Sequence, residues 1–373
     1  MSDLIKNKKT TVRNPAMDII RTLAFLTVIG VHFFLNSGFY KYPVVGVRMY
    51  VMTLVRTFLM ICVPLFMVLS GYLMRKKQVG AEYFMKIFQT LIIYVLASCV
   101  CVLVKICLFD MEISAIKIVE GFFEYSNAPY AWYIEMYIGL FLLAPFLNIA
   151  YNGLESRRKK LLLVMIAVFL TAGPSLFNIF VPSIDWFLNP LSSKDYFQIV
   201  PDWWSGIYPI AYYLIGCYLS EYGLKIKTSY NIIAIIFVFL ASGSFAFYRS
   251  YGSSFVNGLW SAHNGIGQVI QTILVFMLFA NLNYNKFPLF LSKIFRCTSE
   301  LCLGGYLVSW IFDNIFYSKL NSLISQIPKR FDWFFVIVFA VFFCSLVVSF
   351  ILNIIYKIII NLFSKISAKK LEK

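Results

Sequence analysis

Residues 17–32 read Met-Asp-Ile-Ile-Arg-Thr-Leu-Ala-Phe-Leu-Thr-Val-Ile-Gly-Val-His. Apart from Asp18, Arg21 and His32 this is a membrane-spanning helix by length and composition. An arginine at the centre of such a helix costs about 2.5–3.5 kcal/mol on insertion scales, so ionisable groups here point to function. Eleven residues are close to three helical turns, which puts Arg21 and His32 on one face, roughly 16 Å apart along the axis. Asp18, three positions before Arg21, is spaced to pair with it. One helix face thus carries a cation near one membrane surface and a titratable base deep inside.

The surrounding chain agrees. It has 373 residues, 60% hydrophobic and only 13% charged, against roughly 25% charged in soluble domains. The net charge of +16 sits in short clusters between apolar stretches, which reads as membrane loops and not as a nucleic-acid-binding face. The eight cysteines lie in or beside apolar segments and read as small hydrophobic filler. Cys99-Val100-Cys101 lacks the second ligand pair a metal needs, so no metal is expected. The basic start runs into a segment of full membrane length without a small-residue cleavage site, so no cleavable signal peptide is expected.

Apolar segments long enough to span run over 16–36, 48–74, 84–109, 130–151, 161–182, 206–221, 231–248, 264–282, 298–317 and 333–361. Asn14-Pro15 supplies an N-cap and first-turn proline for the first. With a cytoplasmic N-terminus, 22 Lys and Arg fall on the inside against 8 outside. The expectation is an all-α polytopic membrane bundle of about ten transmembrane helices with both termini cytoplasmic. It forms a single domain, 1–373, with short basic tails at 1–15 and 362–373.

Within that frame His32, Glu135 and Asp313 fall at a similar depth toward the outer side. A base with a nearby carboxylate is the pairing that orients and charges a general base. The bland alternative is that each is satisfied by its own local hydrogen bond. Ser70-Gly71-Tyr72-Leu73-Met74 runs into Arg75-Lys76-Lys77, which is either an ordinary stop-transfer cluster or, with Arg21, a polyanion site for a coenzyme or nucleotide phosphate. The outer loop 183–205 holds Trp186, Asp202, Trp203 and Trp204, which suit sugar stacking and an interfacial aromatic belt equally well. Gly-x-Gly and P-loop patterns are absent.

Four blocks in order resemble the acyltransferase-3 family, integral-membrane acyltransferases that decorate bacterial surface glycans. Asp18-x-x-Arg21-x-x-Ala24 with His32 resembles its first-helix signature, and Val63-Pro64-Leu65-Phe66 through Ser70-Gly71-Tyr72-Leu73 its second-helix block. Ala131-Trp132-Tyr133-Ile134-Glu135 with Leu143-Ala144-Pro145 resembles the Trp-Tyr/Phe-Leu block, and Tyr212-Tyr213-Leu214-Ile215-Gly216 the Tyr-Phe-Leu-Ile-Gly block. The resemblance spans nearly the whole chain.

It implies that acetyl-coenzyme A binds from the cytoplasm as donor, that Arg21 helps to hold it, with Asp18, Arg75 and Lys76 as further candidates, and that His32 is catalytic, assisted by Glu135 or Asp313. The acceptor would be a hydroxyl of a surface or lipid-linked polysaccharide, with Trp132, Tyr133, Trp203 and Trp204 as candidate substrate-binding residues. The bacterial cytoplasmic membrane is the expected location. In one departure, many members carry a second His after the ninth-helix Tyr-Leu-Ile, where Gly305-Tyr306-Leu307-Val308 is here followed by Ser309. Two rival readings are a transporter or flippase of a glycan or lipid-linked intermediate, whose path the charges would line, and transfer of succinyl or another acyl group.

Overall fold

The computed structural model describes residues 14–181, 183–189 and 196–371, with side chains to residue 362. Of the basic residues counted for orientation, Lys6, Lys8, Lys9, Arg13, Lys194 and Lys373 lie outside the described residues. Long helices dominate, and among the described residues there is no strand, only an isolated bridge between Val44 and Tyr251.

The long helices are α1 (Pro15–Asn36), α2 (Gly46–Leu59), α3 (Cys62–Met74), α4 (Ile87–Cys107), α5 (Trp132–Asn152) and α6 (Arg157–Ala172). They continue with α7 (Tyr208–Tyr222), α8 (Thr228–Ser250), α9 (Ile266–Ala280), α10 (Leu289–Leu323) and α11 (Phe334–Leu371). Each expected apolar segment overlaps at least one of these helices, and residue 182, at the end of one segment, lies outside the described residues. Among the described residues seven spans are long and apolar enough to cross a membrane: those containing α1, α2 with α3, α4, α5, α8, α9 and α11.

The other three expected segments fall short for separate reasons. At 16 and 15 residues, α6 and α7 reach only about 22–24 Å, against a hydrocarbon core of about 30 Å. The α10 helix, 35 residues long, carries Lys293, Arg296, Glu300, Asp313 and Lys319. The segment expected at 161–182 begins earlier and ends sooner than anticipated. Ser156 caps its start by accepting from the Lys159 amide, and Pro174 opens a separate short turn after Gly173.

The segment expected as one helix over 48–74 breaks at Met60–Ile61. Pro64 has no N–H to give Met60, so the Met60 carbonyl loses its helical partner. In a membrane such a carbonyl must be satisfied internally, and His263 Nδ1 lies 2.9 Å from it. Pro145 inside α5 does the same to Phe141, whose carbonyl accepts the Tyr83 hydroxyl at 2.6 Å.

At the centre, α1 packs against α2, α3, α9, α10 and α11. Its start is built as the sequence anticipates: the Asn14 side chain accepts from the Ala16 amide, Pro15 follows, and Asp18 sits in the first turn, where a carboxylate favours the helix dipole. Its far end is tied to α10. Arg330 donates to Ser37 O and Ile324 O at 2.7 Å, and Asn321 donates to Asn36 O. These bonds satisfy carbonyls that a helix end leaves open.

Helices α3 and α7 approach closest at two glycines. A Cβ on Gly71 would lie 1.9 Å from Tyr213 O, and one on Gly216 would lie 2.1 Å from Val68 O. Small residues at crossings let backbones meet in this way in membranes. The outward faces expose apolar side chains such as Phe146, Ile233, Phe237, Phe343, Val347 and Phe350, the surface a bilayer requires.

Candidate active site

Between α1, α3, α5, α10 and α11 lies a cavity of about 680 Å³. Arg21 and His32 both line it, as their shared helix face requires. Arg21 donates through Nη1 to Ser299 Oγ at 2.9 Å, and His32 Nδ1 lies 3.2 Å from Asp313 Oδ2. The two contacts advance together along both helices, so α1 and α10 run parallel. Ser349 donates to Leu301 O at 2.7 Å, which brings Asn353 and Lys357, one and two turns further along α11, to the Arg21 end. One end of the cavity therefore holds two cations with Glu300 beside them, and the other holds an imidazole.

The structure places the two candidate carboxylates, Glu135 and Asp313, differently. Asp313 is 1% exposed and faces His32, whereas Glu135 is exposed on the first turn of α5 and does not line the cavity. The His32–Asp313 contact is close enough for an ion pair but falls outside hydrogen-bond alignment. Asp313 Oδ2 accepts its aligned bond from the Tyr130 hydroxyl at 2.7 Å. The Tyr130 ring in turn lies 3.9 Å from the imidazole, centroid to centroid. Ser309 is fully buried and donates its hydroxyl to Tyr306 O. Asp313, one turn on, is the group that reaches His32.

Other expected residues divide clearly. Asp18 is buried in the first turn of α1 and does not line the cavity. Arg75 forms an ion pair with Glu221 at 3.0 Å, Lys160 meets the same carboxylate at 2.9 Å, and Arg75 and Lys76 line a separate pocket. Trp132 and Tyr133 do line the cavity, whereas Trp203 and Trp204 stand exposed in the loop before α7 and do not line it. Among the described residues no group of three or more His, Cys, Asp or Glu is placed to hold a metal.

Sequence reasoning missed His263, Tyr130 and Lys357. His263, the second of the chain's two histidines, lines the same cavity from the loop before α9. A run of ring contacts joins the two imidazoles: His263 to Trp132 at 6.2 Å, Trp132 to Tyr133 at 6.3 Å, Tyr133 to Tyr306 at 5.9 Å, Tyr306 to Tyr130 at 6.4 Å, and Tyr130 to His32. The Tyr306 hydroxyl also donates to Tyr130 O. At the entry of α5, Trp132 and Tyr133 thus line the cavity, with Tyr130 behind them against His32.

The arrangement offers a base backed by a carboxylate, an aromatic wall and a cationic entrance to an otherwise largely apolar cavity, the usual make-up of a small-molecule site. No match is found among curated proteins or among solved structures. The acyltransferase-3 profile, described as an acyltransferase domain, matches residues 14–354, which takes in α1, α3, α5, α10 and the part of α11 that precedes Tyr356 and Lys357. Since that match covers nearly the whole chain, this multi-pass membrane protein belongs to the acyltransferase-3 family.

Proposed function

We propose that the protein transfers an acyl group, acetyl from cytoplasmic acetyl-coenzyme A, to a hydroxyl of a bacterial cell-surface or lipid-linked polysaccharide. The observation that carries this reading is the His32–Asp313 pair at one end of a cavity whose other end presents Arg21 and Lys357. With Nδ1 turned to the carboxylate, Nε2 is the nitrogen left to act as base. The acceptor hydroxyl gives its proton to Nε2 and its oxygen attacks the thioester carbonyl. A C–O bond forms, the C–S bond breaks, and the coenzyme thiolate takes the proton from Nε2. Asp313 stabilises the intervening imidazolium, and Tyr130 holds Asp313. Arg21 and Lys357 receive the donor's phosphates. Arg75, already paired with Glu221, serves that end less directly.

We read ten crossings of the bacterial cytoplasmic membrane with both termini cytoplasmic. The parallel course of α1 and α10 supports an even number of crossings between their starts, and the excess of inside cations sets the direction. The short α6 and α7 and the charged α10 complete the ten: α6 presents exposed apolar side chains such as Leu162, Met165 and Phe169, and Asp313 of α10 is buried.

Membranes containing the protein are incubated with radiolabelled acetyl-coenzyme A and the host polysaccharide. Alkali-labile label on the polymer is expected, falling by on the order of 10²–10⁴-fold in His32→Ala at equal protein level. A glycan transporter would give no label. Absence of label with the wild-type protein, or unchanged labelling in His32→Ala, would overturn the reading.

A further inference from the structure

His32 and His263 face one cavity but are held in opposite ways. His32 meets a carboxylate, whereas His263 Nδ1 meets the Met60 carbonyl that Pro64 leaves without a partner. A carbonyl can only accept, so Nδ1 of His263 must carry the proton and Nε2 must carry a lone pair. Among the described residues nothing hydrogen-bonds that Nε2.

The ring is fixed from several sides. The Tyr212 hydroxyl donates to His263 O at 2.6 Å, and Trp132 and Tyr208 lie near-parallel to the imidazole at 6.2 and 6.4 Å. The buried Arg56 anchors the preceding loop through Ser261 O at 2.6 Å and Asn257 Oδ1 at 3.0 Å. A ring with one nitrogen committed to the backbone and the other turned to a cavity is a fixed hydrogen-bond acceptor. Trp132 beside it is 44% exposed, a flat apolar surface offset from the imidazole and near-parallel to it.

We propose that His263 Nε2 and the Trp132 indole form the acceptor subsite: Nε2 accepts from a sugar hydroxyl while the sugar's apolar face rests on the indole. This rests on the acyl-transfer reading above. His263 holds a hydroxyl other than the one that reacts, and the aromatic wall running to Tyr130 leads the reacting hydroxyl toward His32. His263 is thus a specificity residue for the acceptor and takes no part in donor binding or proton transfer. Carbohydrate recognition by a stacked aromatic and a fixed polar atom is ordinary physics for such a surface.

The test uses His263→Asn, whose amide retains an N–H near the Nδ1 position for Met60 O and lacks a group at Nε2, alongside His263→Gln and Trp132→Ala. Full-length protein in lipid nanodiscs is titrated with host polysaccharide and radiolabelled acetyl-coenzyme A, with KM measured for each substrate and thiol release followed without acceptor. His263→Asn and Trp132→Ala are expected to raise the polysaccharide KM about tenfold. The donor KM and the acceptor-free thiol release should hold at the wild-type level. His263→Gln, which returns a polar atom near Nε2, should recover part of the loss. Unchanged polysaccharide KM in His263→Asn, or equal increases for both substrates, would overturn the subsite. Failure of the wild-type protein itself to transfer label would instead overturn the acyl-transfer reading.

Discussion

At His32 the two ring nitrogens face different surroundings, with Asp313 against Nδ1 and the cavity left to Nε2. Replacing Asp313 by Asn removes the charge that favours the imidazolium and frees the ring to take the wrong tautomer. Acyl transfer should fall by on the order of 10²–10⁴-fold with the donor KM unchanged. Tyr130→Phe removes the bond that holds Asp313, together with the longer one that Tyr130 accepts from Asn36 Nδ2, so kcat should fall about tenfold. Steady-state kinetics on the two variants checks both the size and the order of these effects. Arg21 and His32 were legible because charge in an apolar helix is conspicuous. Depth brought Asp313 into view but could not separate it from Glu135, since a side chain's direction depends on how α5 and α10 are rotated. His263 was illegible for another reason: its tautomer is set by a carbonyl 203 residues away along the chain.

At the level of elements, two prolines and two glycines shape the walls of the cavity. Pro64 and Pro145 each leave a carbonyl that a side chain from elsewhere fills, so helices distant in sequence are fastened at defined heights. Gly71 and Gly216 let α3 and α7 touch through their backbones. Gly216→Val would force that crossing apart, because its first added carbon already meets Val68 O. A destabilisation of about 1–3 kcal/mol is expected, read as a lower thermal unfolding midpoint in detergent. A matching substitution at the exposed Gly139, where a Cβ meets nothing within 4 Å, should shift that midpoint much less. The ten apolar stretches announced the helices themselves, but among the described residues only seven spans are long and apolar enough to cross a membrane. The break at Met60–Ile61 was not anticipated: Pro64 was visible in its block, but the compensating donor that makes a break tolerable was not.

Across the whole molecule, a lipid-facing shell surrounds a corridor with cations at one end and an imidazole at the other. This polarity matters only if the cationic end faces the compartment that holds the donor. Reporter fusions at both termini and in the Arg157–Lys160 turn should therefore give cytoplasmic signals, and a fusion in the loop after Leu323 an external one. An external signal from either terminus would reverse the corridor. The proposed division of labour between its two ends gives donor binding to Arg21 and chemistry to His32. Its most direct test is the steady-state kinetics of acetyl-coenzyme A for Arg21→Ala and His32→Ala in nanodiscs. Arg21→Ala should raise the donor KM about tenfold or more with kcat within about twofold, because a charge-assisted phosphate contact is lost. His32→Ala should leave the donor KM in place and lower kcat by on the order of 10²-fold or more. Loss of the same parameter in both variants, or a normal kcat in His32→Ala, would contradict the account.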